Sequence, residues 1–413
     1  MMSENPLNQS FTLPNGVTVK NRLFKSAMSE GLGNKDGSPK PMLNLLYRKW
    51  AEGGIGLCVT GNVMIDRRAL GEPGNVFIED RSGLEALKSW AKNATANGTQ
   101  CWVQVNHPGK QSPKGLNKET VSPSAIPFRK DMRSFFDTPR ELTEAEILDL
   151  INRFAFAAKM VKEAGFSGVQ IHGAHGYLVS QFLSPHHNQR TDKWGGDPQR
   201  RRKFVLEVYQ AMRDAVGKDF PIGIKLNSAD FQRGGFTDEE SLETIQALES
   251  AGIDLIEISG GTYEAPAMMG AKRKESTLQR EAYFMDFAIK ARQAVKTPLV
   301  VTGGFRSYEG MSEAIQSGNV DFVGLARLIA VEPDAPLKLL QGKSPNISIQ
   351  PIKTGIGPID KMSVMETVWY REQLERMGKG IEPKPNLSAF MVFLKFAYKL
   401  VFKRKGALKE RAS

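Results

Sequence analysis

Short, nearly unbroken apolar runs alternate along this chain with longer stretches in which apolar residues return every three or four positions. The short runs cover 23–28, 56–60, 101–106, 168–172, 222–227, 255–259, 299–302 and 321–325. They lack polar alternation, as strands do when both faces are covered. The longer stretches, over 43–52, 82–97, 144–164, 198–216, 238–250, 282–295 and 308–317, carry helical periodicity. Thr143 and Glu146 form a capping box ahead of the 144–164 stretch, Gly165 stops that helix, and Gly252 stops the one over 238–250. Eight strands with helical crossovers predict a (β/α)8 TIM barrel over residues 1–345. Residues 346–413 are expected to form a C-terminal helical extension, with one helix inside 352–377. A doubly wound open sheet is the alternative. It would usually carry a glycine fingerprint after its first strand, and none stands there. The polar, proline-containing stretch from Pro108 to Arg140 is expected to form a flap over the barrel mouth.

Composition narrows the function classes. Cys58 and Cys101 are the only cysteines, and both lie in apolar runs. Two buried thiols cannot make a disulfide framework, a zinc ribbon or a cysteine-ligated cluster. The first residues show no basic-then-apolar leader, and no stretch has transmembrane length, so a cytoplasmic protein is expected. The net charge of +11 might suggest nucleic acid, but residues 381–413 alone hold eight Lys/Arg against two Asp/Glu. The body shows no basic-aromatic interleaving, so no nucleic-acid partner is expected.

In such barrels, chemistry sits where strands end at their C-terminal side. The fourth strand leads into His172, His175 and Tyr177, two imidazoles and a phenol within six residues. They could bind a substrate oxygen, serve structure, or ligate a metal together with His186 and His187. No HExxH-like spacing supports the metal. Gly303 and Gly304 after strand seven, with Arg327 after strand eight, make a phosphate site by position. Lys225 lies within Gly-Ile-Lys-Leu-Asn and needs a partner. A structural ion pair, a Schiff-base nucleophile and a fixed cation beside an anionic group all suit it. Gln104 could hold a ring with donor and acceptor edges, or be a satisfied core amide.

Taken together, these motifs resemble the Old Yellow Enzyme family of FMN-dependent ene-reductases over about residues 5–345. The resemblance rests on Lys20-Asn21-Arg22, Gln104 with His107-Pro108-Gly109-Lys110, the His172–Pro185 stretch, Asn188 with Arg190–Gly196, and Gly324–Arg327. It implies FMN across the mouth, with its phosphate at Gly303, Gly304, Ala326 and Arg327. Gln104 would contact the pyrimidine, Ala27, Met28, Ser29 and Gly61 would line the N5/O4 side, and Lys225 would stand near N1/O2. NADH or NADPH would reduce the flavin. His172 and His175 would hold the carbonyl oxygen of an activated alkene, and Tyr177 would give the proton. Ser29 stands where members often have Cys or Thr, and Lys225 where many have Arg. Glu30 or Gly31 replaces an aromatic found in some members, which implies a wider or more polar pocket. A related FMN amine demethylase, a Schiff-base enzyme using Lys225 and a non-catalytic flavin-binding protein are the other readings.

The tail stands apart. Lys395, Lys399 and Lys403 repeat every four residues within an otherwise apolar stretch, inside a basic amphipathic segment over 386–405. That pattern suits an interfacial membrane helix. Docking to the barrel or to another subunit of a homo-oligomer suits it equally.

Overall fold

The computed structural model of the chain describes residues 5–265, 282, 284–346, 349–360 and 364–398. Eight parallel strands close on themselves: β1 (Leu23–Lys25), β2 (Leu57–Met64), β3 (Gln100–Asn106), β4 (Gly168–Gly173), β5 (Ile222–Asn227), β6 (Leu255–Ser259), β7 (Leu299–Thr302) and β8 (Phe322–Leu325). Closure is made by β1, which pairs with β8 through Val323↔Leu23 and with β2 through Phe24↔Leu57. A short parallel strand, Val76–Phe77, adds to the outer end of β2. Outside lie α1 (Met42–Glu52), α2 (Leu84–Ala94), α3 (Glu144–Glu163), α4 (Pro198–Val216), α5 (Asp238–Ala251), α6 (Met285–Ala294) and α7 (Tyr308–Gln316). The expected (β/α)8 barrel is the fold.

The local signals act as their chemistry requires. Thr143 and Glu146 cap α3 reciprocally, and Gly252 ends α5 in the left-handed region at φ 96°. Two strand ends differ from expectation by more than one residue. β1 ends at Lys25, before Met28. β2 runs on past Thr60 to Met64, because Gly61 marks a bulge rather than an end. A Cβ at Gly61 would stand 2.4 Å from the Met28 carbonyl oxygen, so only glycine lets the bulged strand approach the segment after β1 this closely.

The barrel has a floor and a mouth. Trp102 lies across the interior, and a Cβ at Gly168 or Gly223 would come within 2.4 or 2.7 Å of its indole. It packs with Leu13, Val19, Phe24, Leu57, Leu255, Val300 and Phe322. The hairpin of Phe11–Thr12 and Thr18–Val19 brings Leu13 and Val19 to this cluster, sealing the N-terminal end. Access is therefore from the C-terminal ends of the strands. Cys58 and Cys101 are buried, unbonded and in register on β2 and β3.

The extension folds back on the barrel. Its helix α8 (Val364–Gly378) packs on α1 and on the short helix Arg327–Val331. A further helical stretch spans 389–398. No helix among the described residues is long and apolar enough to cross a membrane. The 386–405 tail continues beyond 398 outside the described residues.

Candidate active site

Inside the barrel, the partner that Lys225 needs is Glu257, the central residue of β6. Lys225 Nζ lies 3.0 Å from Glu257 Oε1 and donates to Ser26 Oγ at 2.8 Å. Glu257 also accepts from Gln170 Nε2 at 2.8 Å, from Thr302 Oγ1 at 2.8 Å and from Ser26. Burial opposes the charge on this carboxyl, but Lys225 and the Ser26 and Thr302 hydroxyls hold it below the usual carboxylate range. The network continues outward, with Gln104 Nε2 donating to Gln170 Oε1 at 2.7 Å. The ammonium of Lys225 is thus ion-paired and hydrogen-bonded, which does not suit a free-amine Schiff-base nucleophile. Glu257 escaped the sequence reading, although Leu-Ile-Glu-Ile-Ser sets a charge among apolar residues as plainly as Gly-Ile-Lys-Leu-Asn does.

Above this network the end of β4 brings His172, His175 and Tyr177 together. The two imidazole centroids are 5.2 Å apart, and the His172 and Tyr177 rings are 4.7 Å apart. His175 adopts φ 62°, rare for a residue with a Cβ. Its backbone is fixed from both sides: its N–H donates to Asn227 Oδ1 at 3.0 Å, and its carbonyl accepts from Gln111 Nε2 at 3.0 Å. Its Nε2 lies 2.7 Å from Ser259 Oγ. Burial and then the nearby Lys225 cation keep both imidazoles well below the usual histidine range, so both are neutral at pH 7. The Ala174 N–H donates to His172 Nδ1 at 3.4 Å, which places the proton of that ring on Nε2. Burial raises the Tyr177 phenol well above its ordinary value, with Tyr263 adding to the effect. Tyr177 Oη lies 2.8 Å from Tyr263 Oη. Tyr263 follows β6, and no spacing in the sequence marks it. The flap reaches the same place: Phe136 packs against Tyr263, and Arg129 N–H donates to Glu264 Oε1 at 2.9 Å.

The residues expected around a flavin lie at neighbouring strand ends. Gln104 Oε1 is a buried acceptor without a partner, and the Asn106 side chain leaves both its Nδ2 donor and its Oδ1 acceptor unpaired. An unsatisfied buried acceptor is costly and suits a ring N–H. Gly303 and Gly304 take φ 110° and 100°, and they follow β7 beside β8, which leads to Ala326 and Arg327. The donor set fits a flavin with its phosphate on β7 and β8. Arg327 also meets a carboxylate, Glu366 Oε2 of α8, at 3.4 Å. Ser29 donates to Glu72, and Glu72 Oε2 pairs with Arg371 Nη1 of α8 at 3.0 Å. A Cβ at Gly31 would stand 1.6 Å from Arg371 Nη2, so Gly31 clears the path of that side chain. Glu30, expected to make the pocket more polar, instead turns inward: it is buried, bonds Tyr47 Oη and accepts from Gly61 N–H at 3.2 Å.

The four-histidine grouping does not form. His186 and His187 gather with Glu264, apart from His172 and His175. His187 is buried rather than loop-exposed, and Lys110 Nζ stands 3.3 Å from Glu264 Oε2. That ammonium already neutralises the carboxylate charge which would otherwise attract a metal cation.

Comparison with known proteins defines the class. Residues 6–346 match the model of the NADH:flavin oxidoreductase / NADH oxidase family. The NADH-dependent flavin oxidoreductase iliE of Hypocrea jecorina is 38% identical over 360 residues, 81% of this chain and 89% of that protein. A solved 2-naphthoyl-CoA reductase complexed with 2-naphthoyl-CoA matches at TM-score 0.76 and 27% identity, over 84% of this chain and 54% of the other. An old yellow enzyme homologue from Zymomonas mobilis shares the fold at TM-score 0.69, with 22% identity over 84% of this chain and 94% of the other. The chain belongs to the Old Yellow Enzyme family of FMN-binding NADH:flavin oxidoreductases, and it is an oxidoreductase.

Proposed function

We propose that this chain reduces activated alkenes, taking electrons from NADH or NADPH. The observation that carries this reading is the pair of neutral, fixed imidazoles of His172 and His175 beside the protonated phenol of Tyr177. FMN held here would supply the hydride chemistry between nicotinamide and acceptor. Gln104, Gly303, Gly304, Ala326 and Arg327 would hold that cofactor, with Ala27, Met28, Ser29, Gly61 and Lys225 around its ring. The catalytic unit is residues 1–345, and α8 of the 346–413 extension reaches it through Glu366 and Arg371.

The two histidines act on the carbonyl oxygen of the acceptor. The His172 proton sits on Nε2, because Nδ1 accepts from Ala174. Ser259 Oγ holds His175 Nε2 at 2.7 Å, and in the tautomer in which that hydroxyl donates, the His175 proton sits on Nδ1. Two such donors stabilise negative charge that grows on the oxygen as the β-carbon takes hydride. Neutral imidazoles do this without surrendering a proton to the oxygen. Tyr177 then protonates the α-carbon. Tyr263, hydrogen-bonded to it, supports the phenolate that remains and carries the replacement proton. The acceptor class is an α,β-unsaturated carbonyl. The acyl-CoA in the solved neighbour is a conjugated carbonyl of this electronic kind.

The test uses the FMN-loaded protein under anaerobic conditions. NADH or NADPH should bleach the flavin, and an enone should restore its colour. Flavin bleached by a methylated amine, with no response to enones, would favour the demethylase reading instead.

A further inference from the structure

The segment 389–398 presents two opposite faces with different fates. Val392 is buried at 4% exposure, and Leu387, Ala389 and Phe393 pack with it onto the hydrophobic core. Trp369 of α8 anchors the approach by donating from Nε1 to the Leu387 carbonyl at 2.9 Å. Lys395 Nζ closes the edge on Glu372 of α8, at 2.6 Å. The sequence therefore had one alternative right in part: the helix does dock on its own chain.

Docking leaves the other face uncovered. Phe390, Met391 and Leu394 are 43%, 59% and 44% exposed. Positions i, i+1 and i+4 share one side of a helix, so these three form a contiguous apolar arc turned away from Val392. Single exposed apolar residues are ordinary, but a helical arc of three large ones is not. Charge decides what the arc faces. Lys395 borders it, and residues 399–413 add Lys399, Lys403, Arg404, Lys405, Lys409 and Arg411 against the single acid Glu410. An apolar arc followed in sequence by a strongly cationic stretch matches an anionic lipid interface, where apolar side chains enter the acyl boundary and basic groups meet headgroup phosphates. A second copy of the chain would bring the same surplus of positive charge to the contact and be repelled.

We infer that the outward face of residues 389–398 is a docking surface for anionic membranes, held on the enzyme body by Val392 and Trp369. This inference stands independently of the substrate reading, since its test measures lipid binding and not turnover. The FMN-loaded full chain is centrifuged with phosphatidylcholine vesicles, with and without phosphatidylglycerol. It should pellet with the anionic vesicles and be released by high salt. The triple substitution Phe390→Ser, Met391→Ser and Leu394→Ser changes only exposed positions. It should keep the parent's melting temperature and lose vesicle partitioning by at least about tenfold. In a second measurement, Phe390→Trp should show a fluorescence blue shift on adding anionic vesicles. Equal pelleting of parent and triple variant, or no pelleting and no blue shift, would overturn the inference. A concentration-dependent dimer abolished by the triple variant, without vesicle binding, would overturn it in favour of self-association.

Discussion

Tyr177 and Tyr263 place their hydroxyl oxygens 2.8 Å apart, joining the end of β4 to the loop after β6. The two phenols differ in placement, since the Tyr177 ring also lies against His172. Tyr263→Phe should therefore slow acceptor reduction by about tenfold, less than the ~10²-fold or more expected for losing a general acid. Its flavin reduction by NAD(P)H should be unchanged. Stopped-flow measurement of the two half-reactions separates these effects, and equal slowing of both would remove Tyr263 from proton transfer.

Glu257 and Lys225 form a buried pair, with side-chain exposures of 0% and 5%. Removing one partner of such a pair strands the other charge and typically costs about 3–5 kcal/mol. Glu257→Leu should lose stability on that scale in urea unfolding of the apoprotein. Adding Lys225→Met should recover most of it. A single variant as stable as the parent would show that the pair is not what holds this layer of the barrel.

Arg327, proposed to meet the FMN phosphate, has two claimants. Glu366 of α8 lies 3.4 Å from Arg327, a half-exposed contact of the kind worth up to about 1 kcal/mol. Releasing it through Glu366→Gln should tighten FMN binding by about two- to fivefold. Arg327→Ala should weaken it by about tenfold or more. Fluorescence quenching titrations of apoprotein with FMN give both constants, and weaker binding by Glu366→Gln would contradict competition at this arginine.

Acid should destabilise the fold through its buried histidines. Burial lowers the His107 imidazole to about 4, and burial also holds His172, His175 and His187 well below the usual range. These folded values lie under the unfolded value of about 6.5, so the unfolded chain binds more protons between the two. Stability is therefore complete above about pH 6.5 and is lost as pH falls toward about 4. His107 alone accounts for roughly 3 kcal/mol across that window. Urea midpoints should fall from about pH 7.5 to about pH 5, and His107→Asn should flatten the slope. A flat profile in the parent would contradict neutral burial of these rings.

The fold was legible because parallel strands covered on both faces announce themselves as apolar runs. Boundaries slipped where a glycine served approach rather than termination, as Gly61 does beneath Met28. Within the site, His172, His175, Tyr177 and Gln104 were readable from their positions at strand ends. Glu257 was readable in principle, by the same rule that marked Lys225. Tyr263, Ser259, Glu72 and Arg371 were not, because their partners lie 86, 84, 43 and 299 residues away in sequence. Only closure of the barrel and return of the extension bring those groups into contact. His187 misled because a Ser-Pro-His-His loop looks solvated, whereas the flap and the β6 loop cover it.

The central claim is that His172, His175 and Tyr177 act on the acceptor and not on the nicotinamide. Anaerobic stopped-flow of FMN-loaded Tyr177→Phe measures this most directly. Flavin reduction by NAD(P)H should stay within a few-fold of the parent, and reoxidation by an enone should slow by about 10²-fold or more. Reoxidation at the parent rate would contradict the claim.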